Sequence, residues 1–239
     1  MDLNKNKCEL FGMFLGDGCF SKNKRYCELT IAGDISEERE YHENYVIPLF
    51  NKEFCNSNYA VKGKAYPKVG VYGFYCFKQE IVESFAALFS IKPGSKENIS
   101  IPKTILNNKI YLRRVLRGLF DTDGSICFEK NYSMVKSTNK VPRIYINLTS
   151  LFLVKQAYKG LQNLGFHPKL SGPYKLRPNE KPLMKIKIYR KADVTRWLTE
   201  IGFRNPKHLT KIEVWKRFWF CPPQTNISQR RQILASNKI

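Results

Sequence analysis

Acidic side chains are scarce in this chain: 20 Asp and Glu stand against 41 Lys and Arg, for a formal net charge of +21 over 239 residues. An excess of that size points to a polyanionic partner. The charges run along the whole chain, as an extended phosphate-tracking surface needs. Histidine is scarcer still, with only His42, His167 and His208, and the seven cysteines form no Cys-x-x-Cys pair. No zinc-site spacing results. The cysteine count is odd and most cysteines have apolar or aromatic neighbours, so they read as small core residues. That usage excludes a disulfide framework and implies a reducing, intracellular compartment: cytoplasm, organelle or nucleus. No apolar run approaches the ~20 residues that cross a bilayer. No basic amphipathic helix offers a membrane anchor, and no signal peptide is expected. The terminal nucleophile and closing asparagine of an intein are missing as well, so a free-standing protein is expected.

What is present is a repeat. Residues 10–18 (LFGMFLGDG) and 116–124 (LRGLFDTDG) are both apolar runs closing on an aspartate and a glycine. Each carries small residues at i and i+4, Gly12 and Gly16 in the first, Gly118 and Thr122 in the second. Such positions share one helix face, and two small-residue stripes let helix backbones pack closely. That packing sets Asp17 beside Asp123. Gly18 and Gly124 read as helix-ending glycines. An acid in the last helical turn opposes the helix dipole by roughly 0.3–1 kcal/mol, and a bound cation removes the conflict. Without a cation the two carboxylates repel, so one pKa should rise.

On these residues the chain resembles the single-chain LAGLIDADG homing endonucleases. The nine-residue signature aligns without gaps to both segments, whose aspartates lie 106 residues apart. The second copy keeps two acids, Asp121 and Asp123, whereas the first has Leu15 where the earlier acid would stand. The resemblance implies Asp17 and Asp123 as metal ligands, one active aspartate per motif, and two DNA strands cut in a staggered way across the minor groove. It also implies antiparallel sheets that form a DNA-binding saddle, packed through the two motif helices. Backbone carbonyls of Gly16 and Thr122 are expected to complete the coordination. Asp121 is expected to bond backbone locally, with a place behind the metal ligands as the alternative.

The fold expected is α+β, two pseudo-symmetric αββαββα halves. The first spans 1–95, a polar linker 96–108, the second half 109–221 and a flexible tail 222–239. Cys27, Leu29 and Ile31 alternate with Tyr26, Glu28 and Thr30, as in a half-buried strand. Ile144, Ile146 and Leu148 alternate in the same way with Arg143, Tyr145, Asn147 and Thr149. Helices near 37–53 and 151–164 follow, the first interrupted by Pro48. Further strands are expected near 59–64, 68–77, 167–175 and 183–190, helices near 78–89 and 191–201, and a last helix near 207–219. The strand leucines Leu29 and Leu148 are 119 apart, so an insertion is expected near 130–142. The halves end alike, at Pro93 and Pro206, and should share one core.

Phosphodiester cleavage needs a nucleophilic water, charge relief on the phosphoryl oxygens and help for the leaving 3′ oxygen, all of which divalent ions supply. Carboxylates with waters and phosphate suit Mg²⁺ or Mn²⁺; Ca²⁺ is expected to support binding without cleavage. Outward strand residues supply the DNA contacts. In the first half these are Lys22, Lys24, Arg25, Tyr26, Glu28, Lys62 and Lys64. In the second they are Lys130, Lys136, Arg143, Tyr145, Asn147, Lys185 and Lys187. Lys78 and Lys191, at matching strand-to-helix junctions, are the candidate basic helpers at the scissile phosphates. The reading is a monomeric, metal-dependent, site-specific double-strand DNA endonuclease of the intron-homing type with a long asymmetric target. The alternative is a maturase that binds intron RNA with the same fold. Splicing help does not need the two metal aspartates, so their presence favours the nuclease.

Overall fold

The computed structural model describes residues 2–128, 142–175 and 181–236. Helix α1 (Lys5–Asp17) starts at Asn4, whose side chain accepts from the Lys7 N–H at 2.9 Å. It runs directly into β1 (Gly18–Lys22) and β2 (Cys27–Asp34). Next come α2 (Arg39–Tyr41), one wide π turn (His42–Val46) and α3 (Ile47–Phe54). The expected break at Pro48 takes the form of that wide turn, which passes into α3 without a non-helical residue and has Pro48 two residues after it. β3 (Gly63–Tyr66), β4 (Val71–Cys76) and α4 (Gln79–Phe89) complete the half. A connection holding α5 (Lys103–Leu106) leads to α6 (Lys109–Asp123), capped by Asn108.

The second half repeats the plan: β5 (Gly124–Phe128), β6 (Pro142–Leu148), α7 (Leu151–Asn163), β7 (Lys169–Tyr174), β8 (Leu183–Ile188) and α8 (Lys191–Arg196) with a wide turn to Ile201. α9 (Pro206–Phe218) and α10 (Ile227–Ser236) follow. The sheets are ordered β1-β2-β4-β3 and β5-β6-β8-β7, antiparallel throughout. Gly18 pairs with Ile31 and Gly124 with Ile146. Leu29 therefore corresponds to Ile144, not to Leu148, and the second hairpin is nine residues longer than the first. The expected insertion itself lies outside the described residues.

α1 and α6 touch backbone to backbone. A methyl on Gly12 would lie 2.2 Å from the Val115 carbonyl oxygen, and one on Gly118 2.2 Å from that of Glu9. One buried apolar cluster joins both halves, from Phe11, Phe50 and Phe85 to Leu119, Phe120 and Trp197. Across the seam, buried Glu9 accepts from Arg117 Nε at 2.8 Å, from Arg114 at 3.2 Å and from the Tyr45 hydroxyl at 2.8 Å. Among the described residues no helix is long and apolar enough to cross a membrane.

Three expectations are corrected. Gly18 and Gly124 are extended, with φ of −85° and −87°, rather than left-handed. Each is glycine because a Cβ would sit 2.6 Å from the Phe14 carbonyl oxygen or 2.3 Å from that of Phe120. Residues 227–236 are not a loose tail: α10 packs on α9 through Arg230, fully buried and donating to Thr210 Oγ1 at 2.8 Å. Asp121 makes no local turn; it accepts from the backbone N–H of Arg204 at 2.9 Å and from the Tyr41 hydroxyl at 3.4 Å. It pins the segment before α9 to the motif helix.

Candidate active site

Asp17 and Asp123 are the last residues of α1 and α6, brought together by the close glycine-lined crossing. A methyl on Gly16 would stand 3.2 Å from Asp123 Cγ, so the second carboxylate lies directly over the end of the first helix. Burial first, then the facing Asp123 carboxylate and Glu38, push the Asp17 carboxyl up to about 7, against Lys207 and Lys96. Burial likewise lifts Asp123 to about 6. Both acids rise, where repulsion alone led to the expectation of one.

Two ammonium groups answer this charge. Lys96 Nζ donates to the Gly16 carbonyl and lies 3.2 Å from that of Leu15. Lys207 Nζ donates to the Thr122 carbonyl at 3.1 Å and to Glu38 Oε1 at 2.5 Å. Each lysine thus sits at the carbonyl end of one motif helix, where the dipole favours a cation. Beside Lys96 opens a groove of about 430 Å³ lined by Gly16, Asp123, Asn147, Thr149 and Ser150. The buried Oδ1 of Asn147 accepts no hydrogen bond among the described residues.

This donor set fits a hard divalent cation. Its donors are two carboxylates and two helix-end carbonyls, all oxygen, concentrated enough to draw two lysines. Among the described residues no cluster of three or more His, Cys, Asp or Glu forms a complete protein cage. Mg²⁺ characteristically accepts such a partial set, keeping waters and phosphate oxygens.

The lysines proposed from sequence stand elsewhere. Lys78 caps α4 and pairs with Glu80 at 3.9 Å, and Lys191 opens α8. Neither is among the charges that act most on Asp17 or Asp123; Lys96 and Lys207 are. A signal existed: the two halves end alike at Pro93 and Pro206, and a lysine follows each proline by three residues or one.

The sheets turn one face to the helices and one outward. Tyr145 lies across from Lys187 and Asn147 across from Lys185, and Lys169 is also paired with Lys187. With Arg143 these form the outward face of the second sheet, on which Tyr145 is itself buried (7% exposed), opposite Ile144, Ile146, Ile186 and Ile188. Lys185 lies over the rings of Tyr145 (5.3 Å) and Tyr174 (5.8 Å), and Lys169 over that of Tyr189 (5.3 Å). On the first sheet Glu28, Thr30, Tyr75, Lys64 and Tyr66 face outward. Glu28 accepts from Thr30 Oγ1 at 2.9 Å, and Lys64 lies over Tyr66 at 4.9 Å. Lys24, Arg25 and Tyr26 occupy the exposed β1–β2 turn, and Lys62 precedes β3. Lys22 is corrected: it bonds Glu83 of α4 at 2.6 Å, on the helix side. Lys130 and Lys136 lie outside the described residues.

Residues 111–202 match the LAGLIDADG-like domain family. A DNA polymerase of Thermococcus hydrothermalis is 22% identical over 205 residues; the match takes in 85% of this chain but only 11% of the polymerase. The homing endonuclease I-DmoI in complex with DNA and Ca superposes with a TM-score of 0.59 at 16% identity, over 87% of this chain and 97% of that one. The homing endonuclease I-WcaI bound to its DNA recognition sequence gives a TM-score of 0.51 at 15% identity, over 84% and 83% of the two chains. With two motif helices crossing at their glycines and an antiparallel four-stranded sheet on each, the chain is a two-motif protein of LAGLIDADG homing-endonuclease fold.

Proposed function

We propose that this protein is a metal-dependent, site-specific endonuclease that cuts both strands of duplex DNA. The observation that carries it is the convergence of Asp17 and Asp123 at the helix ends, with one lysine beside each. The two structural relatives, I-DmoI and I-WcaI, are homing endonucleases bound to DNA, and I-DmoI is also known with DNA and Mn.

Asp17 and Asp123, with the Gly16 and Thr122 carbonyls, would hold Mg²⁺ or Mn²⁺. The bound ion supplies Lewis-acid relief of phosphoryl charge and an acidified water. At each strand a water oxygen bonds to phosphorus, the P–O3′ bond breaks, O3′ takes up a proton and the water gives one up. Lys96 and Lys207 add positive charge where negative charge builds on the phosphate. The outward sheet faces hold the duplex, the lysines and Arg143 on phosphates and guanine edges, Asn147 and Glu28 toward base edges. The faces differ in chemistry, so the target is long and asymmetric, and one chain spans it.

Cleavage selection on a randomised duplex library tests this reading. Mg²⁺ should give double-strand cuts at one long site, and Ca²⁺ should give binding alone. Asp17→Asn and Asp123→Asn should bind without cutting. Tight RNA binding with no DNA cut under any divalent ion would overturn the reading.

A further inference from the structure

The two active-site lysines keep different company. Glu38, which holds Lys207, is itself buried (5% exposed). Asn205 Nδ2 donates to its Oε1 at 2.8 Å and the Asp34 N–H to its Oε2 at 3.0 Å. Lys207 is anchored from behind as well: Arg230 of α10 donates to its backbone carbonyl at 3.4 Å and lies 4.0 Å from Glu37. Lys96 has only backbone carbonyls as hydrogen-bond partners and forms no ion pair among the described residues. Glu38 immediately precedes α2, and the residue immediately preceding α7 in the other half is Ser150. Ser150 donates to the Glu97 carbonyl at 2.8 Å and caps α7. The two halves, alike in supplying an acid and an ammonium each, therefore differ in one respect: a buried carboxylate holds Lys207, and among the described residues none holds Lys96.

Building on the endonuclease reading, we infer that Glu38 sets the order of strand cleavage. The phosphate at Lys96 is hydrolysed first and the phosphate at Lys207 second, because Glu38 competes with the latter for the Lys207 ammonium. The bond changes are the same on both strands. What differs is the positive charge free to meet the phosphoryl oxygens in the transition state. Lys96 exchanges neutral carbonyl dipoles for a phosphate. Lys207 must share itself with a fixed carboxylate whose own charge repels the phosphate at short range. Glu38 is a positioning residue that acts through Lys207.

The experiment follows both strands of a supercoiled plasmid carrying the selected site in Mg²⁺, with each strand end-labelled in parallel duplexes. The wild type should accumulate nicked circles cut on one strand. Glu38→Gln should speed the second strand about tenfold relative to the first and erase the nicked intermediate. Glu38→Ser, which shortens the side chain as well as removing its charge, should do the same. Lys207→Met should stop at the wild-type nick, and Lys96→Met should nick the opposite strand. In Ca²⁺, where binding is read by fluorescence anisotropy, Glu38→Gln should bind the uncut duplex several-fold more tightly. Simultaneous cutting by the wild type overturns the inference. So does loss of the second cut in both Glu38 variants, which would make Glu38 a base, or an equal change on both strands. A wild type that cuts no site with any divalent ion overturns the endonuclease reading itself, and the inference with it.

Discussion

The centre of the molecule is nearly two-fold symmetric; its two outer faces are not. At the centre each half contributes a glycine crossing, a terminal aspartate, a helix-end carbonyl and a lysine that donates to it. On the faces, the second sheet carries Arg143, Lys169, Lys185 and Lys187 and, among the described residues, no acid. The first sheet carries Lys64 against Glu28, with Tyr66 and Tyr75 between them. The chemistry at the two strands of a duplex is the same, which keeps the centre alike. The sequences of two half-sites need not be, which leaves the faces free to diverge. On the endonuclease reading proposed above, the second half would supply phosphate affinity and the first would read base edges with fewer charges.

The strongest test of the symmetric centre is the aspartate pair. Asp17→Asn and Asp123→Asn should each lower double-strand cleavage by about 10³-fold or more, in equal measure, since each replaces an anionic carboxylate ligand with a neutral amide. Strand-resolved kinetics would break the symmetry if one variant still linearised the plasmid at near wild-type rate. The crossing should be equally intolerant on both sides. Gly12→Val and Gly118→Val push side-chain atoms into carbonyl oxygens 2.2 Å from the new Cβ, at a cost of about 3 kcal/mol or more each. Chemical denaturation measures both.

The faces should respond unequally. Lys185→Ala with Lys187→Ala should flatten the dependence of log K on log salt by about 1.8, at ~0.9 for each phosphate no longer neutralised. Lys64→Ala should flatten it by ~0.9 at most. A base-preference profile should move more for Glu28→Ala than for either lysine, since a carboxylate accepts from an exposed amino group such as that of cytosine. Equal salt slopes from the two halves would dissolve the division of labour.

Much of this was legible in the sequence, and the reasons are physical. The motif helices announce themselves because close backbone approach permits only small residues at Gly12, Gly16, Gly118 and Thr122. The strands announce themselves by period-two alternation around Leu29, Ile31, Ile144 and Ile146. What stayed hidden depended on distant partners. Lys96 sits in a polar, proline-flanked stretch that reads as a connector, and only the packing of that connector on α1 brings it to the Gly16 carbonyl and the two aspartates. Asp121 finds its partner 83 residues away, at Arg204. Lys22 is outward by composition but inward by register, which only the pairing with Cys27 and the ion pair to Glu83 decide. α10 has no apolar stripe to see; one buried arginine docks it.

The smallest expected effect concerns pH. Asp17 and Asp123 have folded-state pKa values of about 7 and about 6, above the ordinary range of a carboxyl near 4. A raised acid favours the folded state while it is protonated, so that contribution is whole below about pH 4 and is lost as pH climbs through 6 and 7. In EDTA the melting temperature should therefore fall by several degrees between pH 5 and pH 8. Asp123→Asn should remove its own share and also lower the Asp17 transition, because the facing carboxylate is the second cause of the Asp17 shift. Asp121, raised to about 8 by complete burial, should keep a residual slope in the double variant Asp17→Asn/Asp123→Asn. Mg²⁺ should reverse the fall in the wild type and increasingly so at higher pH, since a metal binds only the ionised carboxylates. In the double variant Mg²⁺ should leave the profile unchanged. The two aspartates would prove unequal if only one of the single variants lost the Mg²⁺ response.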